Sequence, residues 1–158
     1  KTPLAVFVGA FPGGIPFMLG WVAATGSFGL EAGTLFMIQF FWQFPHFWAI
    51  GWLMYDDYQR AGINMLPSGK RDRKTALQAV LYSIWTLVIS VFPVLGLTGD
   101  LQISVGAAVL VGLSGLWLII SAMRLFQKLD LESARQLMIV SVIYISLIQI
   151  IYVIDKLI

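Results

Sequence analysis

Residues 35–54 read Leu-Phe-Met-Ile-Gln-Phe-Phe-Trp-Gln-Phe-Pro-His-Phe-Trp-Ala-Ile-Gly-Trp-Leu-Met, without one charged side chain. A helix of about 20 residues is what it takes to cross the hydrocarbon layer of a bilayer. The run is not uniformly apolar, because it carries Gln39, Gln43 and the only histidine of the chain, His46. Polar groups inside a membrane segment are costly, so they mark candidate functional positions. Immediately beyond, Asp56-Asp57-Tyr58-Gln59-Arg60-Ala61-Gly62 puts two adjacent carboxylates where the apolar run meets water.

The rest of the chain has the same character. It is 59% hydrophobic and 11% charged, with a mean hydropathy of +0.86, whereas soluble domains carry about 25% charged residues. A length of 158 residues suits one soluble domain, but the apolar runs exclude that class. Five spans can be drawn, roughly 3–24, 35–54, 77–98, 103–123 and 137–154. The last is the shortest and is rich in β-branched residues, yet a lone strand cannot satisfy its backbone in lipid, so it too is expected to be helical. The fold class is therefore all-α, an integral membrane helical bundle. The absence of cysteine excludes disulfides, thiolate metal sites and a cysteine nucleophile. A net charge of +2 is too small to point to nucleic acid. Neither a start methionine nor a signal peptide is visible at Lys1, so a later part of a longer protein is expected.

Charge distribution gives the topology. Arg60, Lys70, Arg71, Arg73 and Lys74 follow the second span, and Arg124, Lys128 and Arg135 follow the fourth; the other connections carry only Glu31 and Asp100. Alternating crossings put Lys1 with both basic loops and leave Lys156 opposite. Positively charged loops stay in the cytoplasm, so the N-terminus, Asp56 and Asp57 are expected on the cytoplasmic side.

Gln39, Gln43, His46, Ile50, Leu53 and Asp57 recur at spacings of three or four, one face of a helix. Such a stripe avoids lipid. It either bonds neighbouring helices or lines a ligand cavity, and Asp57 at its end tips the choice toward a cavity. Pro45 removes a backbone hydrogen bond beside His46 and can kink the helix. Asp56 has a partner in Arg60 at i,i+4, but carboxylates at a helix C-terminus oppose the macrodipole and point to a role other than stability. Magnesium takes one or two carboxylates plus substrate phosphates; such a pair beside Lys70 and Arg60 fits a lipid diphosphate whose tail enters the bilayer. Two adjacent aspartates alone do not specify a metal. In the first span, Gly9 and Gly13 form a small-xxx-small pair, while Pro12 and Pro16 predict a bent or broken helix.

Taken in order, these segments resemble a known family. Gly9-Ala10-Phe11-Pro12-Gly13-Gly14-Ile15-Pro16 with Gly20-Trp21 and Thr25-Gly26, Trp42-Gln43-Phe44-Pro45-His46-Phe47-Trp48-Ala49, Asp56-Asp57-Tyr58 with Ala61-Gly62 and Met65-Leu66-Pro67, and the closing Val153-Ile154-Asp155-Lys156 look like the motifs of the haem O synthases. These are protohaem IX farnesyltransferases of the UbiA-type intramembrane prenyltransferase family. The resemblance covers nearly the whole chain. It implies that residues 1–158 are the C-terminal part of a single transmembrane prenyltransferase domain, five helices of an expected nine.

The reaction implied joins the farnesyl group of farnesyl diphosphate to a vinyl group of haem b, with water added and Mg2+ assisting diphosphate departure. Asp56 and Asp57 match the second acidic motif, as metal ligands. His46 and Asp57 are the implied catalytic residues, and Gln39, Gln43, His46, Tyr58, Arg60 and Lys70 the implied substrate-binding set. Arg60 and Ala61 stand where the general family pattern has a further acid, as in the haem branch. The first acidic motif is absent, so the chain is not expected to be active alone. A bacterial inner-membrane location follows from the resemblance, with a haem A synthase or terminal oxidase assembly as contact. A prenyltransferase acting on a quinone precursor and a polytopic transporter are the alternatives. A membrane haem-binding subunit with His46 as axial ligand is weaker, since there is no second histidine.

Overall fold

A computed structural model describes residues 4–158; Lys1 and the start of the first expected span lie outside the described residues. Six α-helices follow one another: α1 Ala5–Thr25, α2 Leu30–Leu53, α3 Tyr55–Arg60, α4 Arg73–Val91, α5 Val105–Lys128 and α6 Leu131–Leu157, with a 3-10 turn at Phe92–Leu95. No strand occurs among the described residues. Helices α2, α4, α5 and α6 close into a ring in which each packs on two others, and α1 lies outside it against α2.

The packing is inside-out relative to a soluble bundle. On α4 the buried positions are Thr75, Ala76, Ala79, Val80, Ser83, Thr86 and Ser90, whereas Leu77, Leu81, Trp85 and Val88 are exposed. Small residues let membrane helices approach closely. The hydroxyls of Ser83, Thr86 and Ser90 bond the carbonyls four residues back and so need no outside partner. A large apolar exterior of this kind faces lipid or further protein rather than water. The protein is a multi-pass membrane helical bundle, with α1, α4 extended by the 3-10 turn, α5 and α6 long and apolar enough to cross. The sequence reading expects a fifth span in α2, which has 24 residues but falls short of that apolarity. Its Gln43 amide instead bonds α1 and its His46 imidazole meets α6.

Three sequence expectations are corrected. The last span is not the shortest: α6 has 27 residues, because Asp130 caps it through the Ser133 amide at 2.8 Å and its polar first turns continue the helix outside the apolar window. Helix α1 runs unbroken through Pro12 and Pro16. Its close approach to α2 falls at Gly13 and Gly14 rather than Gly9, which has open space beside it; a methyl group at Gly13 would overlap the Gln43 amide.

The two ends of the bundle differ. At one, Asp155 accepts from the Ser104 amide at 2.7 Å, Glu31 from the Asp100 amide at 3.0 Å, and Lys156 donates to the Asp100 carbonyl at 3.2 Å. At the other lie α3, the basic loop into α4 and the α5–α6 turn.

Candidate active site

The carboxylates do not continue α2. That helix ends at Leu53, Met54 leaves helical geometry (φ −97°, ψ 23°), and Asp56 and Asp57 sit in the first turn of the six-residue α3. At a helix N-terminus negative charge is favourable, so the macrodipole penalty expected from the sequence does not apply. Asp56 also does not pair with Arg60. Its Oδ2 lies 3.3 Å from Arg71 Nη1, while Arg60 Nη1 lies 3.3 Å from Asp57 Oδ1, because i,i+3 is the shorter reach on this short helix.

Arg71, which the sequence shows only as one basic loop residue among several, organises this end. Its Nε donates to the Trp52 carbonyl at 2.7 Å and its Nη2 to the Leu53 carbonyl at 3.3 Å, and the guanidinium carbon stands 5.0 Å from the Tyr55 ring centroid. The last carbonyls of a helix have no intrahelical donor; here one planar side chain supplies donors to two of them and to Asp56. Tyr55 returns the contact by donating to the Gly69 carbonyl at 3.0 Å.

Two motif segments complete the platform. Helix α3 ends in a Schellman cap: the Ile63 amide bonds the Tyr58 carbonyl at 2.9 Å, the Gly62 amide bonds that of Gln59 at 3.0 Å, and Gly62 takes φ +69°, which costs glycine little. Leu66 is fully buried against Gly51, where a side chain would strike Met65 and Leu66. Asp72 caps α4, accepting from the Thr75 amide at 2.9 Å and the Ser68 hydroxyl at 2.7 Å. Burial pushes its carboxyl up, but these hydrogen bonds outweigh burial and hold it below the ordinary carboxylate range. Asp57, Arg60 and Lys70 are exposed, Tyr58 half-buried, and the Lys70 ammonium has no partner among the described residues.

Further along α2 the amides and imidazole bind its neighbours. Gln43 is buried, its Nε2 donating to the Ala10 carbonyl of α1 and the Gln39 carbonyl, each at 3.2 Å. Gln39 Oε1 is buried without a partner, an acceptor left free for a ligand or water. His46 Nδ1 lies 2.8 Å from Ser141 Oγ of α6, and its ring stacks on Trp42 at 4.8 Å and 15°. From His46 to Leu53, where α2 ends, is about 10 Å along the helix axis, and the carboxylates lie beyond that end on α3. The structure thus brings Asp56, Asp57, Tyr58, Arg60 and Lys70 to one platform and places Gln39, Gln43 and His46 away from it, toward α1 and α6. A cavity of about 450 Å³ lies beyond them again, between Phe17 and Trp21 of α1, Ile38 of α2 and Tyr152 of α6, at the end opposite the carboxylates.

The profile of the UbiA prenyltransferase family matches residues 1–148. The chain belongs to the UbiA prenyltransferase family. Among relatives of this UbiA chain, a protein of Flavobacterium johnsoniae named protoheme IX farnesyltransferase is 67% identical over 155 residues, covering 98% of this chain and 52% of the relative. Proteins of the same name from Christiangramia forsetii and Solibacter usitatus are 60% and 43% identical over 99% of the chain, again covering 52% of each. The chain spans about half the length of these relatives and corresponds to their C-terminal part. No solved structure matches it.

Proposed function

We propose that this UbiA chain is the C-terminal part of a single transmembrane domain that transfers the farnesyl group of farnesyl diphosphate to a vinyl group of haem b, giving haem O. The observation that carries the reading is the carboxylate platform: Asp56 and Asp57 open to solvent on α3, Asp56 paired with Arg71 and Asp57 with Arg60, beside the loop that carries Lys70. Two oxygen donors of this kind are what Mg2+ takes from protein when substrate phosphates supply the rest. In this reading Asp56 and Asp57 are the metal ligands that this half contributes. Mg2+ held there would neutralise the charge that develops on departing diphosphate.

The chain's own groups divide the remaining work. Arg60 and Lys70 draw the diphosphate to the basic end, Tyr58 borders it, and Gln39, Gln43 and His46 lie deeper, where the acceptor is reached through the bundle. The C1–O bond of the donor breaks and C1 bonds to the terminal vinyl carbon. Water then adds to the cationic inner carbon and releases a proton. The basic end is cytoplasmic, in a bacterial inner membrane, and the product passes to a haem A synthase or terminal oxidase assembly.

In the full-length protein, Asp57→Ala should abolish haem O formation from haem b, farnesyl diphosphate and saturating Mg2+, a loss of about 100-fold or more, with the protein still folded. Unchanged turnover would remove the metal role. Transfer to a quinone precursor would use the same carboxylates, and offering that acceptor instead of haem b separates the two readings. Transport is disfavoured because the carboxylates stand at the end of the bundle rather than at mid-membrane.

A further inference from the structure

His46 and Ser141 fix each other's protons. Ser141 Oγ stands 2.6 Å from the Met138 carbonyl and 2.8 Å from His46 Nδ1. A hydroxyl has one proton and a carbonyl can only accept. The Ser141 proton therefore goes to Met138; sent elsewhere, it would leave two oxygen acceptors facing each other at 2.6 Å. The His46 contact must then run the other way, with Nδ1–H donating to Ser141 Oγ. A neutral imidazole carries one N–H, so with Nδ1 as the donor Nε2 is left with a bare lone pair.

The arrangement is held from a second side. Trp42 Nε1 donates to the Ser141 carbonyl at 2.6 Å, and the same indole stacks on the His46 ring. Main chain and side chain of one fully buried serine on α6 thus receive two successive turns of α2. Imidazole in water favours its proton on Nε2, so this site holds the less common tautomer. The hydrogen bond at one ring nitrogen decides what the other can do.

We infer that Ser141 is a positioning residue that fixes His46 in the Nδ1–H tautomer and presents Nε2 as a proton acceptor. The inference rests on the reading of the site given above. In that reaction the proton released when water adds to the cationic carbon needs such an acceptor, and Nε2 takes it as the C–O bond forms. A serine that served only as interhelical glue would bond equally well to either tautomer.

The test uses full-length protein with 15N-labelled histidine, the His46 signals being assigned by subtraction of the His46→Asn spectrum. Without substrate, Nδ1 should resonate as a protonated nitrogen and Nε2 as an unprotonated one. Ser141→Ala should shift the pair toward the Nε2–H form and lower kcat by about 10-fold with KM for both substrates unchanged, the scale at which orienting partners act. Ser141→Thr, which keeps the hydroxyl, should restore tautomer and kcat together. A protonated Nε2 in the wild type, or an Ala variant with the wild-type tautomer, overturns the inference. So does normal kcat in an Ala variant whose tautomer has shifted. Protein that makes no haem O at all would instead sink the proposed activity, while the tautomer is still read without substrate.

Discussion

Arg71 couples backbone geometry to site charge, because the guanidinium that covers the last carbonyls of α2 also holds Asp56. Lysine keeps the charge but not the planar fork, so it can satisfy one of those partners at a time. In Arg71→Lys the Mg2+ concentration for half-maximal turnover should rise roughly 3- to 10-fold, the net worth of about one ordinary solvent-exposed hydrogen bond. In Arg71→Met it should rise further. Metal titrations of turnover with both variants decide the matter, and an unchanged Mg2+ requirement in the Met variant would leave Arg71 a helix cap and nothing more. Arg71 was not legible as a site residue, since its targets are carbonyls, 18 and 19 positions back, that no sequence letter reports. The candidate groups of the proposed site stand out in the sequence by type: His46, Asp56, Asp57, Arg60 and Lys70. What each of them touches does not. The periodic stripe that joined Gln43, His46 and Asp57 turned out to face α1, α6 and solvent in turn.

At the scale of elements, hydropathy located each long helix, but its boundaries missed by as much as six residues at the start of α6 and seven at the end of α4. It missed the α2–α3 break, because Met54 is as apolar as its neighbours and only its dihedrals and the Arg71 clamp end the helix there. The loop between α3 and α4 was legible as motif but not as structure. It is a compact segment in which Leu66 fills the space above Gly51 and Asp72 ties Ser68 to Thr75. Asp72 makes the order of this loop sensitive to acid. Its folded pKa lies below the ordinary value, so the ionised form stabilises the loop. That contribution is complete above the unfolded value near 4 and disappears as pH falls through the lower, folded one. Hydrogen exchange at the Thr75 and Ala76 amides, corrected for intrinsic rates, should accelerate between about pH 5 and pH 3. Asp72→Ala should exchange fast throughout, with about 1 kcal/mol of protection gone. A wild-type profile as flat as that of the variant would show that the cap is not what orders the loop.

For the whole molecule, composition indicated a membrane bundle, but neighbour relations were not readable. The outer faces of α4, α5 and α6 are apolar enough for lipid, and the inner faces mix small and hydroxyl-bearing residues with large ones such as Leu118, Leu137 and Tyr144. Ala79, Ser83, Ala122 and Ser141 are buried, while Leu81, Leu116 and Val142 are exposed. In water the same surface would be a liability and a charge on it an improvement, so solvent identity can be tested directly. Leu116 is half exposed near the middle of α5, and Leu131 is equally exposed at the first residue of α6. A lysine at mid-membrane costs about 2.5–3.5 kcal/mol to insert, whereas one at a helix end carries its ammonium to the interface along its own stem. Leu116→Lys should therefore lose most of its correctly inserted full-length protein, measured by glycosylation-site mapping, and Leu131→Lys should insert as the wild type does. Equal insertion of the two would mean that the outer face of α5 is packed against protein, and the neighbour to look for would be the half of the relatives' length that lies outside this chain.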